Sequence, residues 1–522
     1  MRQLISYTEE FRGDESRQMF IGRKNELEAL NAFYEGDKEA LACVTGALGM
    51  GKTTLLRHFA KDKEAIYFSA YETTGKQELS MLAQVLTKAD MIGGKEAGAA
   101  ASDVTNDIAA EGCEWQIEAL LDVITEKAKQ EKLLLIIDQY PNFVKADASF
   151  DETLFSYVTR KWEDLPIKVI LCGDAFLLME KYLYGKKARW KDTIDLHLNL
   201  MGMDFLETKQ FFPDAAGEDL ALYYGISGGI PAQLLRMQGK SVKDAAKVIF
   251  AGIPGQAALL PEQVMGMELR ELSYYNCILS AMAQGMNRVN QLSAEVNKPK
   301  DVVVPYLNAL MSIGVVTKQT AITEETNRKK TRYSIVNSNT VFWYRFIVPH
   351  MDLYVAGEWD ALWDTYIAPD LDNFMQQVFI SMSREHLEER SRRGQMPFTI
   401  ERSGNWWTND DEAGTTDGFD VVSLGKTEGK SATIFTLCFY EQREIEVAEI
   451  KSMIEKTKQM HREGDAFYVV CAKDRFHENV ETVASTIKNI ILVTLDEECK
   501  LAEEHNFHEN SKICLKMYKF CY

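Results

Sequence analysis

Gly46-Ala47-Leu48-Gly49-Met50-Gly51-Lys52-Thr53 fits the pattern G-x-x-x-x-G-K-[ST]. Glycines at this spacing let the backbone wrap a phosphate, so that several N–H groups and the start of a following helix face it. Lys52 supplies a compact positive charge to the β- and γ-phosphates of a nucleotide, and the Thr53 hydroxyl is a ligand for Mg²⁺. Thr54 continues the same turn. Further on, Leu133-Leu134-Leu135-Ile136-Ile137-Asp138-Gln139 ends an apolar run on a carboxylate suited to the water shell of Mg²⁺. The next position bears on hydrolysis. A Glu there would polarise an attacking water, whereas Gln139 orients water by hydrogen bonds and cannot accept its proton. A general base is worth typically ~10²–10⁴ in rate, or ~3–5 kcal/mol of barrier. Because Gln positions water in some phosphate-loop proteins, hydrolysis need not be zero. Asp174, after Cys172-Gly173, stands where a polar group would sense the γ-phosphate; its charge repels phosphate unless it meets a metal or an Arg. Arg189, in Lys186-Lys187-Ala188-Arg189, either stabilises γ-phosphate charge, within the chain or across a subunit boundary, or belongs to a solvated basic loop.

Positioning these groups requires a sheet. Residues 40–45, 65–70, 133–137 and 167–172 are short apolar runs, as in parallel strands covered on both faces by helices. Residues 193–198 alternate and predict an edge strand. Residues 53–59 continue as a helix with Leu55, Leu56 and Phe59 inward. Phe20-Ile21-Gly22-Arg23 leads into another, with Leu27, Leu30 and Tyr34 on one face. Strands separated by helices predict a doubly wound α/β domain. Residues 91–112, rich in Gly and Ala, read as a mobile insertion. Residues 204–251 have a helical pattern broken by Ser227-Gly228-Gly229-Ile230-Pro231, and Pro254 and Pro261 flank a linker. Residues 268–336 predict a winged helix: helices at 275–283, around Val289, Leu292 and Val296, and from Asp301, with Pro305 tolerated in the first turn of the last. A polar hairpin follows, ending in Asn327-Arg328-Lys329-Lys330-Thr331-Arg332. The remainder predicts a separate α/β segment, with a long helix near 371–389 and strands at 419–424, 432–439, 466–471 and 490–495.

The chain has 522 residues, 46% hydrophobic and 26% charged, with a formal charge of −19. Cores can be buried, and the acidic balance argues against a general nucleic-acid coat or an anionic membrane surface as partner. Nine cysteines without a CxxC pair predict reduced thiols. The first residues lack an apolar signal-peptide core, and residues 302–316 are broken by Pro305, Asn308 and Ser312, too short to span a bilayer. The expectation is a soluble, cytoplasmic protein with no membrane partner.

At this point the chain resembles the archaeal-type ATPases, P-loop proteins of the AAA+/STAND kind. The resemblance is carried by Phe20-Ile21-Gly22-Arg23 with Glu26-Leu27, the loop at 46–53, Ile137-Asp138, Ile170-Leu171-Cys172-Gly173 and Gly228-Gly229-Ile230-Pro231. Downstream, Phe342-Trp343-Tyr344-Arg345-Phe346 and Asn405-Trp406-Trp407 resemble the family's C-terminal module, which is related to restriction-endonuclease-like nucleases of the PD-(D/E)xK type. The resemblance implies an ATPase core (1–203), a helical lid (204–260), a winged helix (261–350) and a nuclease-like end (351–522). It implies ATP and Mg²⁺ as cofactors, bound through Gly46, Gly49, Met50, Gly51, Lys52, Thr53, Thr54 and Asp138, with Ile21, Gly22, Arg23 and the segment ending at Pro231 near the adenine. Gln139 and Asp174 depart from the family's usual Glu and small polar residue.

The C-terminal module departs further. Asp420 matches the first acidic position, but Leu437-Cys438-Phe439 stands where Glu-x-Lys is expected, and Phe374-Met375 where Phe-Glu is expected. Asp410, Asp411, Glu412 and Asp417 read as a solvated acidic loop. The third helix of the winged helix is apolar at its start and only the wing tip (Arg328, Lys329, Lys330, Arg332) is basic, so packing or a protein partner is favoured over DNA. These features predict an ATP/ADP-binding switch with weak or absent hydrolysis and an inactive nuclease-like end, coupled to a protein partner or to self-association. The alternatives are an active DNA-linked ATPase, and a structural partner-binding protein stabilised by bound nucleotide.

Overall fold

The computed structural model describes residues 20–37, 40–89, 91, 115–174, 176–215, 217–251, 260–327, 330–408, 417–441, 443–460, 464–487, 489–502 and 504. The predicted insertion, apart from Met91, lies outside them, as do Pro254, Arg328, Lys329, Asp410, Asp411 and Glu412. The chain divides into two compact units, Met1–Met201 and Gly202–Tyr522.

In the first unit, α1 (Lys24–Glu35) precedes β1 (Leu41–Gly46), α2 (Lys52–Ala60), β2 (Ala65–Ser69), α3 (Gly75–Lys88) and α4 (Ile117–Ala128). β3 (Leu133–Asp138), α5 (Tyr140–Ala146), α6 (Ala148–Ser156), β4 (Ile167–Gly173) and β5 (Leu196–Leu200) follow. Every residue of β1, β3 and β4 is buried, which is why these strands read as unbroken apolar runs. The strand order is β2-β3-β4-β1-β5, all parallel. The C-terminal ends of β3, β4 and β1 are therefore consecutive along one edge, where an open α/β sheet binds its ligands. β5 alternates in burial and is the edge strand beside β1. It starts at Leu196 rather than 193, because Trp190 and Thr193 close a turn first. α1 buries Leu30 and Phe33, leaving Leu27 and Tyr34 half-buried, so its inward face is rotated from the expected one.

The second unit begins with α7 (Phe205–Phe211), α8 (Gly217–Ser227), α9 (Pro231–Met237) and α10 (Val242–Phe250). Then come α11 (Ser273–Ala283), α12 (Val289–Glu295), α13 (Lys300–Ser312) and an antiparallel hairpin, β6 (Val316–Thr320) and β7 (Thr331–Ile335). This is the expected helix-helix-helix-hairpin order. Pro305 lies inside α13 rather than in its first turn, because the helix already begins at Lys300. Its missing N–H removes one helical bond there.

The long helix α14 (Leu371–Arg392) leads into a mixed sheet of β8 (Ile400–Trp407), β9 (Gly418–Thr427), β10 (Lys430–Phe439), β11 (Asp465–Ala472) and β12 (Ile490–Thr494). α15 (Val447–Thr457) and α16 (Glu478–Thr486) connect the last three strands. The order is β12-β11-β10-β9-β8, parallel from β10 to β12 and antiparallel from β8 to β10. β8, α15 and α16 add to the expected elements.

The turn after β6 docks on β8: the Ile322 N–H donates to the Asn405 carbonyl at 2.9 Å. Lys330 is buried, paired with Glu324 at 2.6 Å, and lies over the Trp406 ring, while the Trp406 indole donates to Glu324. Arg332 lies over Trp407, and burial lowers its pKa to about 10. These two basic wing residues thus face the C-terminal sheet instead of forming a solvent-facing patch, and Trp406 and Trp407 are buried beneath them. No described helix is long and apolar enough to cross a membrane. The described cysteines, Cys43, Cys172, Cys277, Cys438, Cys471 and Cys499, are free thiols.

Candidate functional site

β1 leaves the middle of the first sheet at Gly46, whose added Cβ would sit 2.8 Å from the Leu200 carbonyl oxygen; only glycine fits there. Gly49 and Gly51 adopt left-handed backbone (φ 86° and 83°) and turn the chain around Lys52. Gly51 is the N-cap of α2 and has no side chain to offer, so the N–H groups of its first turn are free to meet an anion. Thr54 is exposed in that turn.

The Lys52 ammonium donates to the carbonyls of Gly46 (2.8 Å) and Ala47 (2.9 Å) and pairs with Asp174 Oδ1 at 3.0 Å. The Gln139 side-chain amide donates to the same Asp174 oxygen at 2.8 Å. Asp174 therefore meets a lysine and an amide, rather than the metal or arginine its charge was expected to require. Gln139 is itself left-handed at φ 56° and caps α5, and its N–H donates to Asp138 Oδ1.

Asp138 is buried, and its Oδ2 accepts from the Thr53 hydroxyl (2.7 Å) and from the Tyr67 hydroxyl (2.6 Å). Burial, reinforced by the Asp138 charge, pushes the Tyr67 phenol far above its usual range; the Cys172 thiol is driven up by the same two causes. Tyr67 belongs to the site and was missed. Its signal was a hydroxyl within an apolar strand, which needs a partner once packed. Thr53 and Asp138 present adjacent hard oxygen donors, a set that suits Mg²⁺ completed by waters and phosphate oxygens. No larger His/Cys/Asp/Glu cluster fit to hold a metal occurs among the described residues.

Arg23 is brought to the loop by an unexpected route. It is buried, left-handed at φ 61°, and its guanidinium donates to the carbonyls of Met50 (3.0 Å) and Met201 (2.6 Å) and pairs with Glu26. It props the loop from behind. Ile21 and Gly22, half-buried, immediately precede it. Arg189 pairs with Asp151 (3.7 Å) and Glu152 (3.6 Å) on α6. Pro231 belongs to the second unit, where it is the first residue of α9 after left-handed Gly228 and Gly229.

In the C-terminal sheet, Asp420 Oδ2 accepts the Cys438 N–H at 2.8 Å, and burial raises its pKa to about 6. Leu437 and Phe439 are half-buried against the hydrophobic core, and Met375 is fully buried. Asp417 pairs with Lys456 at 2.6 Å.

A central strand feeding a G-x-x-x-x-G-K-T loop, with an aspartate closing the strand two places along the sheet, is the P-loop ATPase arrangement. Residues 20–237 match a family described as an ATPase domain predominantly from Archaea, and residues 343–453 a family of archaeal and bacterial proteins of unknown function. Residues 20–237 are thus similar to an archaeal-type P-loop ATPase domain. The chain is 24% identical over 421 residues, 79% of its own length and 86% of the other's, to an uncharacterised protein of Methanocaldococcus jannaschii. A Walker-type ATPase of Pyrococcus abyssi is similar in structure, with TM-score 0.47 and 16% identity over 63% of this chain and 97% of that one. The ORC2 protein of Aeropyrum pernix, in ADPNP–ADP complexes, gives TM-score 0.38 and 16% identity over 66% and 97%. A STAND protein with a tetratricopeptide repeat sensor from Pyrococcus horikoshii gives 0.27 and 16% over 72% and 51%.

Proposed function

We propose that this protein is an ATP-binding nucleotide switch that hydrolyses ATP slowly, with a C-terminal domain that is nuclease-like in descent and inactive. Lys52 and the N–H groups of the loop and of the start of α2 bind the phosphates; Thr53 and Asp138 hold Mg²⁺, which supplies charge neutralisation and orientation of the phosphates when bound. Ile21 and Gly22 are assigned to the adenine side. Arg23 acts indirectly, by fixing the Met50 carbonyl. The reading of slow turnover is carried by one observation: the only side chain at the water-activating position is the Gln139 amide, and its N–H₂ is engaged by Asp174 at 2.8 Å. An amide cannot accept the proton of an attacking water, and one of its donors is already spent on Asp174. Arg189 is retained as a γ-phosphate group only if it exchanges its Asp151 and Glu152 partners.

For the C-terminal domain, metal-dependent phosphodiester cleavage needs several carboxylates and a cation. Asp420 supplies one carboxylate, held by a backbone N–H, while Leu437, Phe439 and Met375 supply none. The inward-facing Lys330 and Arg332 support a packing role for the wing over phosphate contact. The expected partners are ATP or ADP and a protein.

The test is nucleotide extraction from the purified protein together with steady-state turnover. Bound adenine nucleotide that is lost in Lys52→Ala, with turnover below ~1 s⁻¹, supports the reading; turnover within the ordinary enzyme range of about 1–10³ s⁻¹ sinks it.

A further inference from the structure

We propose that Asp174 sets the nucleotide preference of the site, by acting as the counter-ion of Lys52 in place of a γ-phosphate and so favouring the diphosphate over the triphosphate. This rests on the nucleotide-binding reading above and names what that site selects.

A lysine ammonium has three donors and no more. In this protein all three are committed: two to the carbonyls of Gly46 and Ala47, one to Asp174. The pair is sheltered, with Lys52 side-chain exposure 5% and that of Asp174 15%, so solvent and salt weaken it less than a surface pair. The Asp174 carboxylate is also tethered, because the Gln139 amide donates to the oxygen that meets Lys52. Gln139 in turn is anchored by its own N–H to Asp138 and by its position as the cap of α5. The negative charge facing Lys52 is therefore built in and positioned from a second strand.

The two nucleotides place different demands on this arrangement. A diphosphate asks Lys52 to exchange a carbonyl partner for a β-phosphate oxygen, and Asp174 can stay. A triphosphate in addition brings its terminal charge to the lysine that Asp174 holds. Two anionic groups then compete for one ammonium in a poorly screened site, and the carboxylate must turn away or the phosphate binds weakly. When Asp174 does turn away, it also releases the Gln139 amide. The same displacement that admits the γ-phosphate thus frees the Gln139 amide donor. Asp174 is a positioning and selecting residue in this account.

The experiment is calorimetric titration of the full-length chain with Mg-ADP and with a non-hydrolysable Mg-ATP analogue. Wild type should bind the diphosphate at least as tightly as the triphosphate. Asp174→Asn keeps the shape and an acceptor for Gln139 but removes the charge; it should shift the ratio of affinities about tenfold or more toward the triphosphate. Asp174→Ser should shift it in the same direction and guards against a folding defect in the first variant. A ratio unchanged within about twofold in both variants, with both nucleotides still bound, overturns the role of Asp174 alone. A wild type that prefers the triphosphate by about tenfold overturns it too. Failure of wild type to bind either nucleotide overturns the nucleotide-binding reading itself.

Discussion

Gln139→Glu restores, on paper, a base that a hydrolysing P-loop ATPase uses. The structure predicts that it fails alone. The Gln139 amide nitrogen lies 2.8 Å from Asp174 Oδ1, so a glutamate in the same rotamer would set two carboxylates in contact. Two unit charges about 3 Å apart repel by ~5–6 kcal/mol at an effective dielectric constant of about 20. Lys52, 3.0 Å from Asp174, offsets part of this. The pair relieves the remainder by keeping a proton on one carboxyl or by swinging apart. A protonated or displaced glutamate is no base, and the base itself is worth only ~3–5 kcal/mol. The cost is thus as large as the gain, and Gln139→Glu should raise turnover by less than about threefold. Combined with Asp174→Asn, the repulsion disappears and turnover should rise by about tenfold or more over wild type. Single-turnover phosphate release at saturating Mg-ATP reads the effect. In the single variant the rate should also climb with pH as the shared proton is lost. The reasoning is refuted if Gln139→Glu alone is as fast as the double variant, or if the double variant is no faster than wild type.

Two other outcomes follow from buried charges. Arg23→Ala removes charge-assisted bonds to the Met50 and Met201 carbonyls, each worth ~1.5–3 kcal/mol. The first unit should lose about 3 kcal/mol in urea unfolding and nucleotide affinity should fall with it; a variant as stable as wild type would show that this prop is idle. Asp420 has a pKa of about 6 when folded, against a reference of 3.8. Between these values the unfolded chain loses its proton first, so stability falls as pH rises through the window, and the full cost of ~3 kcal/mol is present above it. Asp420→Asn should therefore be more stable than wild type at pH 8 and converge with it near pH 4, by denaturant midpoint; the same gap at both pH values would refute the assignment. Wild type should cut neither DNA nor RNA in Mg²⁺ or Mn²⁺, and cleavage abolished by Asp420→Ala would show that ligands come from elsewhere.

What was legible in the sequence was local. The loop at 46–53 and Asp138 were readable because glycine spacing and a carboxylate closing an apolar run carry their chemistry wherever the strands fall. The elements of the first sheet were readable because strands buried on both faces leave unbroken apolar runs. β8 was not: its sequence, Ile-Glu-Arg-Ser-Gly-Asn-Trp-Trp, is interrupted by register shifts on either side of Ser403-Gly404 that break the alternation of a strand. With β8 unseen, the packing expected of the winged helix had no visible surface to receive the basic wing residues. Lys330 and Arg332 were assigned by their charge, whereas the tryptophan faces of a strand far along the chain decide where they lie.

Asp174 was unreadable for a different reason, and that reason bears on how the site works. Its identity and its place at a strand end were plain, but what it meets depends on the strand order, which the sequence does not state. In the order β3-β4-β1, the end of β4 lies between the end that carries Gln139 and the loop that carries Lys52. A side chain at 174 is thus within reach of both. A neutral polar residue there could contact a phosphate without holding the lysine. An aspartate holds the lysine and the glutamine together at 3.0 and 2.8 Å. The two departures from the family's pattern, at 139 and 174, are therefore one structural feature: the amide suits the aspartate as a hydrogen-bond donor, and a glutamate at 139 would not. Reverting either residue alone leaves a mismatch, with two carboxylates in one case and an amide without its anionic partner in the other. The joint behaviour of the two positions, rather than the effect of either one, distinguishes a switch built around this contact from an ATPase that has merely lost its base.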